Sequence, residues 1–485
     1  MSQAIRAKNI IAGAESEGAS GRVVDRRDPA NGSFVSTFTE SSKEDVHAAV
    51  QAAKSAFEGS PWARSPKLRE ETLHRIQDVI LHEFEELASL QTRESGKVIR
   101  DSRAELRSAA DFFGYNSGLA RNVSGRTSIP DPNTMSFVMR EPIGVVGMIV
   151  PWNSPLVLLA RSLAPALAAG NTVVVKPSAF TPGVVYDFIR KVQKSLGDAP
   201  PGVLNLVLGS GPTVGRELVL DPNADMISFT GSTASAKQII VDSAASIKRL
   251  SLELGGKSPN IVFADAEFEA AALSAIRGQM LGTAGQVCFA GTRVIVQDAI
   301  YEKFKADLTA RIPKLVVGEG IQPATEVGPL VSEAQVETVM ECIEAGKSEA
   351  KLVLGGRRLT EGSLSKGNFV QPALFDDVPA DSKLAQEEIF GPVISLMRFG
   401  DLDEAARIAN GTKYGLSAAI WTKDVAKAFR LAEKINAGVI WINHFGRYYN
   451  EIESGGYKQS GLGRLRGVEG LNAFTQTKTI ALDLG

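Results

Sequence analysis

Apolar and polar positions along this chain change period several times. Residues 43–59 and 66–94 carry apolar side chains at helical spacing, with Leu73, Ile76, Ile80, Phe84 and Leu87 on one face. That pattern predicts two amphipathic helices. Residues 134–150 then alternate and close on the apolar run GVVGMIV, which predicts paired strands. From 157 to 252, helical stretches near 157–169, 181–195 and 213–220 alternate with the runs TVVVK, VLNLVLG, MISFTG and KRLSLELGG. Short apolar strands between helices predict a parallel sheet of βαβ units. A second alternation from about 267 to 442, with RVIV, VISLMRF, LSAAIW and GVIWIN, predicts a second α/β domain. The tail TKTIALDL alternates Ile480, Leu482 and Leu484 and reads as a strand. A lone terminal strand needs a partner; the extended segment 124–140 is a candidate, within the chain or across a subunit interface.

Composition narrows the function classes. The 485 residues are 44% hydrophobic and 22% charged, with a net charge of -2. Such a balance gives no electrostatic reason for binding nucleic acid or an anionic membrane. The apolar stretch 144–170 is interrupted by Pro151, Asn153, Pro155, Arg161 and Pro165, so it is not expected to span a membrane. No apolar leader is apparent at the N-terminus. Two cysteines, Cys288 and Cys342, cannot build a disulfide framework and point to a reducing, cytoplasmic setting. The four histidines are scattered without metal-ligand spacing, and no metal is expected.

Several short segments could carry chemistry. GQVCFAGTR (285–293) sets Cys288 between a glycine-rich approach and small residues, which suits a bend. Such a cysteine is either a small buried hydrophobe or a nucleophile. GSGPTVG (209–215) and FTGSTASA (229–236) each follow a strand and precede a helix, where backbone N–H groups can face a phosphate or be capped by Ser232. SLELGG places Glu253 at a strand end, as a surface charge or a general base. PWNSP holds Asn153 between rigid prolines, and EEIFGPV sets Glu388 before an aromatic and a Gly-Pro turn. Cys342, near Met340 and Ile343 on a predicted helix, reads as packing.

Taken together, PWNxP, KPS, FTGST, ELGGKSP, GQVC, EEIFGPV and GGYKQSGLGR occur in the order and approximate spacing of the aldehyde dehydrogenase superfamily. The chain resembles that superfamily from about residue 25 to its end. The resemblance implies an atypical Rossmann cofactor domain (1–123 and 141–253), a catalytic α/β domain (254–446) and a small β oligomerisation arm (124–140 and 465–485). It implies oxidation of a small-molecule aldehyde by NAD or NADP in a homodimer or homotetramer. Cys288 corresponds to the nucleophile, Asn153 to an oxyanion donor beside the Cys288 N–H, and Glu253 to the general base for thioester hydrolysis. Gly255 and Gly256 are expected to leave that carboxylate room to swing. Lys176, Ser178, Ala179, Gly211, Gly231, Ser232, Leu254, Trp152, Glu388 and Phe390 correspond to the cofactor site. Ser154, Arg161, Phe289, Phe445 and Tyr448 or Tyr449 correspond to the substrate pocket.

Departures from the superfamily pattern refine these expectations. Ala179 replaces a glutamate common in NAD-selective members, so NADP should be tolerated. Ser162 and Leu465 replace the Lys and Glu often viewed as a proton exit for the general base, leaving Glu451 or Glu453 as alternative acceptors. Arg161 matches one of two arginines that bind the carboxylate of semialdehydes, whereas Gly282 stands in place of the second. A carboxylate-bearing semialdehyde and an aromatic aldehyde are therefore both candidate substrates. A CoA-acylating dehydrogenase is the rival reading, and Glu253 speaks against it.

Overall fold

Side-chain alternation within single strands explains the two main sheets. In the strand Thr172–Pro177, Val173 and Val175 enter one hydrophobic cluster and Val174 another. Successive strand residues point to opposite faces, so a strand apolar throughout is covered on both sides. The computed structural model describes residues 4–280 and 283–485, and this strand lies within a sheet of eight. Five strands of that sheet run parallel: Arg249–Glu253, Met226–Thr230, Val145–Val150, Thr172–Pro177 and Leu204–Leu206. Gly461–Leu462 closes one edge antiparallel, and Asn9–Ile11 and Ala14–Ser16 close the other. The helix Lys43–Gly59 packs on one face, and Pro155–Ala169 and Pro182–Gln193 on the other.

The second alternation forms a seven-stranded sheet. Ala373–Asp376, Val393–Phe399, Arg293–Gln297, Pro259–Val262, Ser417–Trp421 and Val439–Ile442 are parallel, with Lys351–Leu354 antiparallel at one edge. Ile261 and Ile295 face one cluster, Val262 and Val294 another. Again both faces are covered.

Two expectations change. The segment 66–94 is two helices, Pro66–His82 and Phe84–Ser95, separated at Glu83. Glu85 and Glu86 occupy the first turn of the second helix, where the helix dipole favours carboxylates. The apolar spacing carries across the break because both helices pack on the same core. The stretch 134–150 does hold two strands, but they join different sheets. Thr134–Pro142 lies between Arg126–Asp131 and the C-terminal strand Thr475–Asp483, whereas Val145–Val150 enters the eight-stranded sheet. The terminal strand thus finds its partner in its own chain, in register from Thr475 opposite Pro142 to Asp483 opposite Thr134. Among the described residues no helix is long and apolar enough to cross a membrane.

Candidate active site

Parallel strands deliver their chains to one end of a sheet, where loops hold functional groups. Val145–Val150 leads into Trp152, Asn153 and Ser154; Thr172–Pro177 ends beside Lys176; Met226–Thr230 runs into Gly231; Arg249–Glu253 ends on Glu253. Against this end lies the turn carrying Cys288. Its approach needs left-handed backbone at Ala284 (φ 50°) and Gly285 (φ 76°). The buried Gln286 braces the turn, accepting from Val331 N–H at 3.0 Å and donating to the Thr283 carbonyl at 2.7 Å. Asn153 Nδ2 donates to the Gln286 carbonyl at 3.0 Å, which ties the two loops together.

Cys288, Glu253, Asn153, Arg161, Phe289 and Tyr448 line one cavity of about 1380 Å³. That exceeds the volume of an ordinary small-molecule site. Burial pushes the Cys288 thiol up to about 11, against the opposing pull of Arg161 and an N–H from Phe289. Only the thiolate is reactive. Alkylation of the free protein by iodoacetamide at this residue should therefore rise about tenfold per pH unit between pH 7 and 9. A plateau below pH 8 would contradict that environment.

Glu253 is buried, and burial raises its carboxyl while Arg161 draws it down. Its Oε2 lies 3.5 Å from Arg161 Nη1, and its Oε1 has no hydrogen-bond partner. Arg161 also donates to Thr230 Oγ1 at 3.1 Å. The guanidinium expected to meet a substrate carboxylate is thus already engaged by the general-base candidate. Ser162 and Leu465 are both buried, and Leu465 packs into the core. Glu451 lines the cavity and is exposed, whereas Glu453 lies against Gly467. Gly282 lies outside the described residues.

The paired glycines after Glu253 also have a local reason in the close approach of other segments. A Cβ at Gly255 would strike the Glu388 carboxylate, and one at Gly256 would come within 2.8 Å of the Cys288 carbonyl. They therefore admit Glu388 and the cysteine loop. Glu388 accepts from Gly256 N–H at 3.2 Å, and burial lifts its carboxyl to about 7. Phe390 adopts left-handed backbone (φ 55°), and its ring meets Trp152 edge-on at 5.6 Å. Trp152 also meets Phe180 at 6.2 Å.

The remaining residues expected at a cofactor site lie at or after strand ends of the same eight-stranded sheet. Lys176 is buried, with no hydrogen bond or ion pair among the described residues, and burial lowers its ammonium to about 8. An unpartnered buried ammonium fits a ligand bearing hydroxyl or phosphate acceptors. Ser178 Oγ accepts from Phe180 N–H at 3.2 Å, and Ala179 packs on the core. Gly211 opens a wide turn, Gly211–Gly215, beside which Glu40 accepts from Ser210 N–H and Thr213 Oγ1. Two donors of that glycine-rich segment are therefore already satisfied. Ser232 caps the helix Thr233–Ser243 by accepting from Ser235 N–H at 3.1 Å. Gly231 donates to the Glu253 carbonyl and Leu254 to the Ser460 carbonyl.

Phe289, Trp441, Phe445 and Tyr448 form an aromatic wall with ring centroids 5.1–6.2 Å apart. Tyr448 joins this wall, whereas Tyr449 is 53% exposed. Sequence reasoning did not find Lys97 or Glu105. These two form an ion pair, Lys97 Nζ donates to Ser154 Oγ at 2.8 Å, and Ser154 Oγ donates to Glu105 at 2.7 Å. The hydroxyl expected to face substrate is held in that network. Lys97 reads as an ordinary charge before a helix and Glu105 as one within it, and no local signal marks the burial of Lys97. Arg466 was also missed, and it sits in the cavity wall.

Comparison with known proteins places the chain in a family. The aldehyde dehydrogenase family profile matches residues 16–480. Betaine aldehyde dehydrogenase of Bacillus subtilis (strain 168) is 41% identical over 455 residues, covering 93% of this chain and 92% of that protein. Retinaldehyde dehydrogenase 3 of Rattus norvegicus is 40% identical over 472 residues, covering 96% and 90%. The crystal structure of betaine aldehyde dehydrogenase from Staphylococcus aureus in complex with NAD+ superposes with a TM-score of 0.96 at 36% identity, covering 99% of this chain and 95% of that one. With sequence profile, full-length relatives and fold in agreement, the chain belongs to the aldehyde dehydrogenase family.

Proposed function

We propose that this protein oxidises an aldehyde to its carboxylic acid with NAD or NADP. The observation that carries this reading is the meeting of Cys288, Glu253 and Asn153 in one cavity. The Cys288 sulfur adds to the aldehyde carbon as thiolate, giving a thiohemiacetal. The Asn153 amide and the Cys288 N–H stabilise its oxyanion; losing one such donor typically costs about 10²–10³ in rate. Bound nicotinamide supplies the hydride acceptor. The resulting thioester remains on Cys288, and Glu253 takes a proton from the water that cleaves it.

Residues 1–123 with 141–253 would hold the cofactor, and 254–446 the catalytic cysteine. Lys176 would bond the adenosine ribose, Glu388 the nicotinamide ribose, and Phe390 would pack near the nicotinamide. Gly211 and Ser232 would lie near the pyrophosphate. NAD+ in the Staphylococcus aureus relative supports this assignment. Segments 124–140 and 465–485 would form a homodimer or homotetramer arm. Exposed Ile129, Phe137, Met139, Ile480 and Leu482 supply an apolar surface for it. Two free cysteines suit a reducing cytoplasm.

The test is absorbance of reduced nicotinamide with succinic semialdehyde, benzaldehyde and an aliphatic aldehyde, each with NAD and NADP. Ala179 puts no carboxylate where an adenosine 2′-phosphate would lie. NADP should therefore work within about a hundredfold of NAD, or ~2.7 kcal/mol. A larger preference for NAD would contradict the Ala179 argument. No signal with any aldehyde would sink the proposed function.

A further inference from the structure

One half-buried guanidinium of the cavity has no carboxylate partner among the described residues and no part in the proposed reaction. Arg466 lies between two rings, with its Cζ 4.7 Å from the Phe112 centroid and 4.5 Å from the Tyr448 centroid. It makes no side-chain hydrogen bond among the described residues, and its Nε is buried without a partner. Its backbone is left-handed (φ 65°), a conformation that non-glycine residues hold chiefly where the surroundings enforce it, often at functional sites. Arg277 and Arg447 also line the cavity, but both are exposed to solvent.

Local charge strengthens the case. Lys97 is matched by Glu105. Arg161 is matched by Glu253. Arg466 then adds a second guanidinium to the neighbourhood of Glu253, whose carboxylate is already engaged by Arg161. Asp101, Asp111 and Glu451 also line the cavity, but none forms an ion pair with Arg466 among the described residues. A half-buried guanidinium with free donors is complementary to a planar carboxylate. Its charge also opposes a cationic ligand beside the Tyr448 ring, over which the guanidinium already lies.

We propose that Arg466 is a specificity-determining residue that binds the carboxylate of an aldehyde substrate whose body lies against Phe289, Trp441 and Tyr448. The inference rests on the proposed aldehyde oxidation. It assigns the anion site to Arg466, leaving Arg161 to position Glu253. A quaternary ammonium aldehyde is disfavoured by the same charge, in contrast to the betaine aldehyde named for two of the relatives.

The test compares kcat/KM for 4-carboxybenzaldehyde, benzaldehyde and betaine aldehyde in the wild type, Arg466→Leu and Arg466→Lys. The wild type should prefer 4-carboxybenzaldehyde to benzaldehyde, with betaine aldehyde the poorest. In Arg466→Leu the ratio of 4-carboxybenzaldehyde to benzaldehyde should fall about 10- to 100-fold, mainly through KM, and Arg466→Lys should keep part of it. An unchanged ratio, with both rates falling together, would make Arg466 structural and overturn the proposal. Wild-type preference for betaine aldehyde would also overturn it.

Calorimetric binding of terephthalate and benzoate separates this proposal from the reaction itself. Terephthalate should bind the wild type at least about tenfold more tightly than it binds Arg466→Leu, with benzoate less affected. That result would support the anion site even if no aldehyde gave reduced nicotinamide, in which case only the proposed oxidation would fail. Equal terephthalate binding by the two proteins would overturn the anion site even if benzaldehyde were oxidised.

Discussion

Cys288→Ala is expected to lose essentially all aldehyde-dependent formation of reduced nicotinamide, with kcat/KM falling by roughly 10⁵-fold or more. No second thiol can replace it. Cys342 lies on the helix Glu333–Gly346 and packs against the core of the other sheet. The cavity also holds hydroxyls, but none makes a nucleophile–base hydrogen bond with Glu253 among the described residues. Alanine leaves a small gap at a half-buried turn and should not disturb the fold. A circular dichroism spectrum matching the wild type therefore accompanies the kinetic measurement. Activity retained within tenfold would exclude Cys288 as nucleophile.

Glu253→Gln should behave differently. It should release about one reduced nicotinamide per site in a burst and then stall, with kcat lowered roughly 10²–10⁴-fold. Glutamine keeps the shape of the side chain but cannot take the proton from water. The acyl group should then persist on Cys288, visible as a mass increase on the intact protein. Removing one partner of a buried ion pair can cost about 3–5 kcal/mol. The thermal midpoint of the variant must therefore be compared with the wild type before the rate is interpreted. A wild-type rate with no burst would sink the general-base role. Faster turnover on adding CoA, with an acyl-CoA product, would favour acyl transfer over hydrolysis.

Buried parallel strands were legible because they read as apolar runs. TVVVK and MISFTG are covered on both faces, so nothing masks their signal. Tertiary partners were less legible. Arg161 and Glu253 lie far apart in the chain, and only the packing of the helix Pro155–Ala169 against the end of the strand Arg249–Glu253 brings them together. The break at Glu83 was hidden because both flanking helices use the same apolar face. Gly255 could be seen as a small residue, but the Glu388 carboxylate that needs the space comes from another part of the chain. Arg466 gave no local hint, since Phe112 and Tyr448 reach it from distant segments.

The arm bears on how the chain emerges during synthesis. Arg140 donates to Thr475 Oγ1 across a separation of 335 residues, and Asn171 Nδ2 donates to the Phe474 carbonyl. Translation at roughly 5–20 residues per second puts about 15–70 s between the appearance of the two strands. During that interval Thr134–Pro142 has one edge without its final partner, next to the short strand Arg126–Asp131. Arg140 and Glu141 are the charges that the nascent strand carries against pairing with a neighbouring nascent chain. The sheet therefore cannot close until the strand Thr475–Asp483 has been made, and those nine residues act as its latch.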